Sequence, residues 1–205
     1  INQKHFFYIP DRTEDGYGAS KKLFQKLILK KPKLIIMVDC GSTSNDAIEY
    51  LNKNNIKSII IDHHDINKPY PKSDVIINPK KEPIKKEKSL LCATALTYFF
   101  IEIIIQKTKS NFKISNFLIY VLLATICDVM PLRKINKIIA RNTIENFKIQ
   151  NNLALNHIFE QFNLKKKLTI DDLGFLIGPI INSGGRLNKS NYGVELLSTD
   201  NLEII

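Results

Sequence analysis

The chain has 205 residues, and its 30 Lys and Arg outnumber 20 Asp and Glu to give a formal net charge of +10 at pH 7. A basic excess suits a polyanionic partner, but Lys, Asn and Ile are abundant throughout the chain, so the total charge carries modest weight. Three cysteines without paired zinc spacing, and apolar runs shorter than a bilayer span, argue against a disulfide scaffold and a membrane protein and indicate a reducing cytoplasm.

Residues 1–90 alternate short apolar runs with segments of helical spacing. The predicted strands are 6–9, 34–38, 57–61 and 75–77, and the predicted helices are 20–30 and 44–53. Nearly continuous apolar strands that alternate with helices are typical of parallel strands buried on both faces. The sequence therefore predicts an α/β fold in which helices flank a parallel sheet and cover both of its faces.

After residue 90 the pattern becomes helical. The predicted helices are 91–107, 115–127, 136–148, 153–161 and one from about Tyr192, which a Gly-rich loop from Gly178 to Leu187 precedes. We therefore expect an α/β part over 1–90, a mainly helical remainder of the same domain over 91–190, and the start of a connecting helix over 191–205. Because the chain lacks an initiator Met and a C-cap for its last helix, we expect an internal fragment.

Two predicted strands end in residues that bind metals. Asp62, His63 and His64 follow the third predicted strand, and Asp39 follows the second. Because ligands bind outside the carboxyl ends of parallel strands, both groups are expected at one edge of the sheet. Imidazole and carboxylate together suit Mn²⁺, Zn²⁺ or Fe²⁺. A hydrogen-bonded loop pair is the alternative for a lone His-His pair, and Asp39 at the second strand end favours the metal site.

Asp128 ends the predicted helix 115–127. A carboxylate at the negative end of a helix costs about 0.3–1 kcal/mol, which a nearby cation would offset; a solvated turn before Pro131 is the alternative. Carboxylates and imidazoles around two cations about 3.5–4 Å apart form the two-metal clamp of phosphoester hydrolysis. In such a clamp Asp39 can bridge the cations, while Asp62 orients a neighbouring imidazole.

Several segments resemble one family, in the family's own order. Val38 to Gly41, Asp62 to His64 and Asp128 to Leu132 resemble the second, third and fourth metal motifs of the DHH phosphoesterase superfamily. The segment from Tyr8 to Gly18 and that from Gly178 to Leu187 resemble the bacterial RecJ-type exonucleases, which are specific for single strands. The resemblance covers nearly the whole chain and implies a Rossmann-like DHH domain.

The resemblance also implies roles for the metal-motif residues. Asp39 would bridge two Mn²⁺ or Mg²⁺ ions, and His63 and Asp128 would be further ligands. His64, supported by Asp62, would contact the scissile phosphate or assist the leaving group.

The same resemblance assigns substrate phosphate binding to a second group of residues. These are Arg186, Gly185, Asn182 and Ser183. A surface Arg after a flexible turn is the alternative for Arg186. Ile180 stands where many relatives carry Arg, so the resemblance implies no second phosphate contact from this position.

The activity implied is metal-dependent 5′-to-3′ hydrolysis of single-stranded DNA in DNA repair and recombination, with a single-strand-binding protein or a helicase as further partners. The family's first motif, Asp-x-Asp-Gly, and its C-terminal nucleic-acid-binding portion are not in this sequence. We therefore expect weak activity from the isolated chain. The alternatives are another DHH phosphoesterase, which would cleave oligoribonucleotides, cyclic dinucleotides or pyrophosphate, and a non-catalytic DHH scaffold that binds nucleic acid.

Overall fold

The computed structural model describes residues 4–11, 13–81, 90–186, 191–199 and 201. Its sheet has three parallel strands, which are β1 Leu34–Val38, β2 Lys57–Ile61 and β3 Val75–Ile77, in the order β1-β2-β3. Val38 pairs with Ile61, and Ile61 pairs with Ile77. The three strands therefore end level with one another, and the loops that follow them start at one edge.

Helices α1 (Lys21–Leu27) and α2 (Asn45–Lys53) pack on one face of the sheet. The Ser20 side chain begins α1 by accepting a hydrogen bond from the Leu23 N–H at 3.1 Å. The core of this layer includes Phe24, Ile48, Leu51 and Ile60, each at most 2% exposed. Burial of each such side chain stabilises the fold by about 1.5–3 kcal/mol, so the strand ends rest on a well-packed layer.

The other face of the sheet is covered unevenly. Helix α3 (Ala93–Thr108) lies against β1 and β2. Nevertheless Leu34, Ile36 and Val38 of β1 remain 44%, 49% and 45% exposed. The prediction that both faces are covered is therefore wrong for β1 in the described structure. A continuous apolar run indicates that a strand can be buried on both faces. Whether both faces are buried depends on the elements that pack against the strand.

The helical part is built around α4. The further helices are α4 Leu118–Cys127, α5 Lys134–Asn146, α6 Leu153–Gln161, α7 Ile170–Asp172, α8 Gly178–Arg186 and α9 Tyr192–Ser198, with 3-10 turns at Ile28–Lys30, Ile114–Phe117 and Ile149–Asn151 and a π-helix at Leu173–Ile177. Ile119 and Leu122 of α4 belong to one buried cluster and Val121 to another. Packing on two sides fixes the end of α4. In the described part of the chain, no helix is long and apolar enough to cross a membrane.

Two predicted elements are wrong. Residues 6–9 form no strand, and Phe7 is 64% exposed, because no neighbouring strand lies beside this segment among the described residues. The predicted Gly-rich loop from Gly178 is helix α8 as far as Arg186, and Leu187 lies outside the described residues. The first glycine serves close packing rather than a turn, since a Cβ at Gly178 would lie 2.6 Å from Cys127 Sγ.

Candidate metal centre

The site begins where the strands end. The Asp39 N–H donates to Ile61 O at 2.9 Å and the Asp62 N–H donates to Ile77 O at 3.0 Å, so the sheet ladder continues one residue past β1 and β2. Asp39 then adopts a left-handed conformation with φ 63°, which Asp enters more readily than most residues. This turn leaves the Asp39 carboxylate half exposed at the edge of the sheet.

Four of the predicted side chains meet at this edge. His63 Nε2 lies 3.2 Å from Asp39 Oδ1 and 3.3 Å from Asp128 Oδ2. His64 Nδ1 lies 4.0 Å from Asp39 Oδ1. Asp39, His63 and His64 each have a possible ligand atom, and these three atoms all lie within 4.8 Å of one another. The structure therefore places residues from two strand ends within reach of one small ion, with Asp128 from the end of α4 beside His63.

The environment of His63 favours positive charge at this point. Its Nε2 is buried and has no hydrogen-bond partner of suitable geometry among the described residues. The interaction with Asp39 raises the pKa of His63 against the effect of burial, and the charge of Asp128 adds to the rise. Burial in turn raises the pKa of Asp128, and the nearby Asp39 adds to it. Two crowded carboxylates beside an orphaned imidazole nitrogen are a donor set that fits a divalent cation.

A strained turn presents Asp128. The Asp128 N–H donates to Ala124 O at 2.9 Å, and the Met130 N–H donates to Thr125 O at 3.0 Å across the end of α4. Between them Val129 has φ 53° and is 86% exposed. A β-branched residue is an outlier in this region, and such strain is concentrated at functional sites. The strained residue therefore directly follows the Asp128 carboxylate, which lies 3.3 Å from His63 Nε2.

Asp62 supports the site from beneath. It is 1% exposed and accepts hydrogen bonds from the N–H groups of Ser42, His63 and His64 at 3.0, 2.8 and 3.2 Å. His64 Nδ1 lies 2.7 Å from Asp62 Oδ1. Burial opposes ionisation of Asp62, but the hydrogen bonds from Ser42 and His64 outweigh it and lower the pKa of Asp62 to about 2. Because its oxygens are occupied, Asp62 orients its neighbours and is not placed to hold a metal.

Comparison with known proteins decides the family. A model described as DHH family, N-terminal domain, matches residues 1–126, which is more than half of the chain. The chain belongs to the DHH family. The predicted membership of the DHH superfamily is thereby confirmed.

Curated relatives of this DHH-family chain are named single-stranded-DNA-specific exonuclease RecJ. The protein of Haemophilus influenzae is 30% identical over 203 residues, covering 93% of this chain and 35% of the relative. That of Escherichia coli is 28% identical over 208 residues, covering 96% of this chain and 36% of the relative. The chain therefore spans about a third of the length of these two relatives.

Two solved structures share the DHH fold seen here. A crystal structure of exonuclease RecJ bound to manganese superposes with a TM-score of 0.83 at 24% identity, covering 96% of this chain and 49% of that one. The structure of RecJ in complex with Mn²⁺ from Thermus thermophilus superposes with a TM-score of 0.77 at 22% identity, covering 90% and 27%. These likenesses confirm the fold class, a parallel sheet flanked by helices and followed by a mainly helical part.

The predicted phosphate-binding residues of this DHH chain lie on α8. Asn182 and Ser183 are exposed and line a cavity of about 910 Å³ that Asp128 also lines. The Ser183 hydroxyl donates to Ile180 O at 2.6 Å, so its hydrogen is already used within the helix. The backbone of Gly185 and Arg186 continues α8, and the side chain of Arg186 lies outside the described part of the structure.

Two further residues near the DHH motif were given no role by sequence reasoning. Ser42 and Asn78 are 2% and 7% exposed, and Asn78 directly follows β3 as Asp39 and Asp62 follow β1 and β2. The repeated position at a strand end was the signal that could have identified Asn78.

Proposed function

We propose that this chain is part of a RecJ-type nuclease that hydrolyses phosphodiester bonds of single-stranded DNA with Mn²⁺ or Mg²⁺ at a two-metal site. The observation that carries the proposal is the convergence of Asp39 and Asp128 on the buried, orphaned Nε2 of His63 at 3.2 and 3.3 Å. Curated relatives named as single-stranded-DNA-specific exonucleases support this substrate. Because this chain spans only about a third of these relatives, we propose the activity for the longer protein of which the chain is a part.

The metal-binding residues would act as follows. Asp39, His63 and Asp128 would hold the metals, and Asp39 is the best placed to bridge because it lies near both imidazoles. When bound, the ions supply stabilisation of the charge that develops on the phosphate and a nucleophile from water at neutral pH.

His64 would act on the substrate. Its Nδ1 is engaged by Asp62 at 2.7 Å, so Nε2 is the nitrogen that would meet a phosphate oxygen or supply a proton to the leaving group. Its side chain is 61% exposed, which leaves it accessible from the cleft.

The cavity beside Asp128 would take the DNA. We propose that Asn182, Ser183, Gly185 and Arg186 contact its phosphates from α8. Asn182 is the stronger of the two described candidates, because its amide has donors to offer whereas the Ser183 hydroxyl donates to Ile180. The 5′-to-3′ polarity, a cytoplasmic role in repair and recombination, and protein partners such as a single-strand-binding protein or helicase belong to the same proposal.

The test begins with metal binding, which needs no activity. We expect the chain to bind Mn²⁺, as followed by electron paramagnetic resonance, and Asp39→Ala to abolish this binding. The matched control is Asp65→Ala, whose 89% exposed carboxylate lies in the loop after β2 and pairs with Lys80 at 2.9 Å. Unchanged Mn²⁺ binding in Asp39→Ala would refute the site.

Substrate class is tested next, in a protein extended to the length of its relatives. We expect Mn²⁺-dependent release of nucleotides from labelled single-stranded DNA, lost in Asp39→Ala and kept in Asp65→Ala. Faster cleavage of dinucleotides, cyclic dinucleotides or pyrophosphate would assign the chain to another branch of the DHH family. Binding of DNA without cleavage would indicate a scaffold.

A further inference from the structure

The third strand end carries a buried amide beside the metal centre. Asn78 directly follows β3, whose last residue Ile77 pairs with Ile61 at the end of β2. Asn78 is 7% exposed. A buried polar side chain must have its hydrogen-bonding groups satisfied, so its partners reveal what it holds in place.

Asn78 binds both of the other strand-end loops. Its Nδ2 donates to Ser42 Oγ at 2.7 Å, in the loop after β1, and to His64 O at 2.9 Å, in the loop after β2. Its Oδ1 accepts from the Lys80 N–H at 2.8 Å. These partners fix the orientation of the amide, because a carbonyl can only accept and a backbone N–H can only donate. Both Nδ2 hydrogens are therefore committed.

Ser42 closes a ring of contacts. The Ser42 N–H donates to Asp62 Oδ2 at 3.0 Å, and Asp62 Oδ1 meets His64 Nδ1 at 2.7 Å. Asn78 in turn holds the main-chain carbonyl of His64. His64 is thus fixed at three points, by its carbonyl on Asn78 and by its backbone N–H and its ring on Asp62. Since an ionised carboxylate can only accept a hydrogen bond, His64 Nδ1 is the donor in its contact with Asp62.

We propose that Asn78 is a positioning residue. It keeps the Nδ1–H of His64 hydrogen-bonded to Asp62, and so leaves Nε2 available to the substrate. This inference rests on the proposed function for its consequence in turnover, while the orientation of His64 can be measured without metal or DNA. Loss of the amide frees the His64 carbonyl and the buried Ser42 hydroxyl. The imidazole then leaves Asp62 and exchanges between its two neutral tautomers.

The first experiment measures the ring nitrogens of His64 by NMR in the metal-free chain at about pH 9, where imidazole is neutral. We expect shifts typical of a hydrogen on Nδ1 in the parental chain. In Asn78→Ala and in the isosteric Asn78→Asp, which keeps the shape but has no donor, we expect the two nitrogen shifts to move toward each other. Parental shifts in both variants would overturn the proposal.

Ser58→Ala is the matched control for loss of a buried hydrogen bond elsewhere in the sheet layer. Ser58 of β2 is fully buried, and its Oγ lies 2.9 Å from Ser73 Oγ at the opposite end of the sheet. We expect this variant to lower the melting temperature yet leave the His64 nitrogen shifts unchanged. A change as large as that in Asn78→Ala would mean that general loosening moves His64, and the proposal would fail.

The second experiment is a double-mutant cycle on DNA cleavage in the extended protein. We expect Asn78→Ala to lower kcat by about 10- to 100-fold, the usual range for a residue that orients an active group. In a His64→Ala background the same change should cost nothing further, since Asn78 acts through His64. An equal loss in both backgrounds would make Asn78 a purely structural residue. If no variant and no parental protein cleaves DNA, the proposed function fails, and the NMR result still decides the role of Asn78.

Discussion

Two residues at the candidate metal centre have left-handed backbones. Asp39 has φ 63° and Val129 has φ 53°. For Val the conformation costs about 1–2 kcal/mol, and it persists because the end of α4 is packed on two sides. Asp128, which directly precedes Val129, lies 3.3 Å from His63. Backbone strain is therefore found beside the carboxylates at both ends of the candidate site.

Asp15, a buried carboxylate away from the metal centre, predicts how stability changes in acid. Lys26 Nζ and Tyr8 Oη each donate to it at 2.6 Å, and these bonds lower its pKa from 3.8 to about 2. A lowered pKa stabilises the fold above the unfolded value, and this contribution is lost as pH falls through the folded value. Asp15→Asn should reduce the free energy of unfolding by about 1 kcal/mol at neutral pH, a modest value because Lys26 is half exposed.

Urea unfolding at a series of pH values measures this effect. The deficit of Asp15→Asn should narrow below about pH 4 and approach zero near pH 2. The control is Asp65→Asn, whose 89% exposed carboxylate should change stability little at any pH. A deficit that is constant with pH would show that Asp15 stabilises the fold through packing and not through its charge.

At the scale of elements, α8 is positioned by close approach to α4. A Cβ at Gly178 would lie 2.6 Å from Cys127 Sγ and 3.0 Å from Leu173 O. Gly178→Ala should therefore destabilise the fold by about 1–3 kcal/mol, although Ala is favoured over Gly in a helix by about 1 kcal/mol. Thermal or urea unfolding measures the change.

Cys127→Ala provides the partner for a double-mutant cycle at this contact. Removing Sγ should restore part of the stability that Gly178→Ala loses, because the closer of the two contacts is gone. The contact with Leu173 O remains, so the recovery should be incomplete. Simple additivity of the two changes would place the cost of Gly178→Ala elsewhere than at the meeting of α4 and α8.

At the scale of the whole molecule, the net charge of +10 suits DNA but does not say where DNA binds. Arg186 ends α8, on which Asn182 and Ser183 line the cavity beside Asp128. Arg186→Ala should weaken single-stranded DNA binding and lower the salt slope by about one unit, with Mn²⁺ affinity unchanged. Arg186→Lys should recover only part of the loss, since an ammonium lacks the planar fork.

Fluorescence anisotropy at several salt concentrations measures both quantities. The matched control is Arg141→Ala, because Arg141 is exposed on α5 and pairs with Glu145 at 2.8 Å. It should leave affinity and slope close to the parental values. Equal effects of the two substitutions would mean that bulk charge, and not a contact from α8, governs binding.

The sequence by itself determined the strand ends, the helices from residue 93 to 161 to within a few residues, and the family. These features are local, since apolar periodicity and residues that follow one another along the chain carry them. The strand-end rule also predicted that Asp39 and His63 lie at one edge. Asp128 was singled out because a carboxylate is unfavourable at the negative end of a helix, and the family resemblance implied its role as a ligand.

Only the tertiary structure decided the remaining features. It made Gly178–Arg186 a helix, since close packing against Cys127 and not a turn accounts for Gly178. It left one face of β1 exposed, and it brought Asn78 onto Ser42 and His64. Each of these depends on which surfaces meet across long stretches of chain. Periodicity along the sequence indicates which face of its own helix or strand a residue lies on. It does not indicate which other element packs against that face.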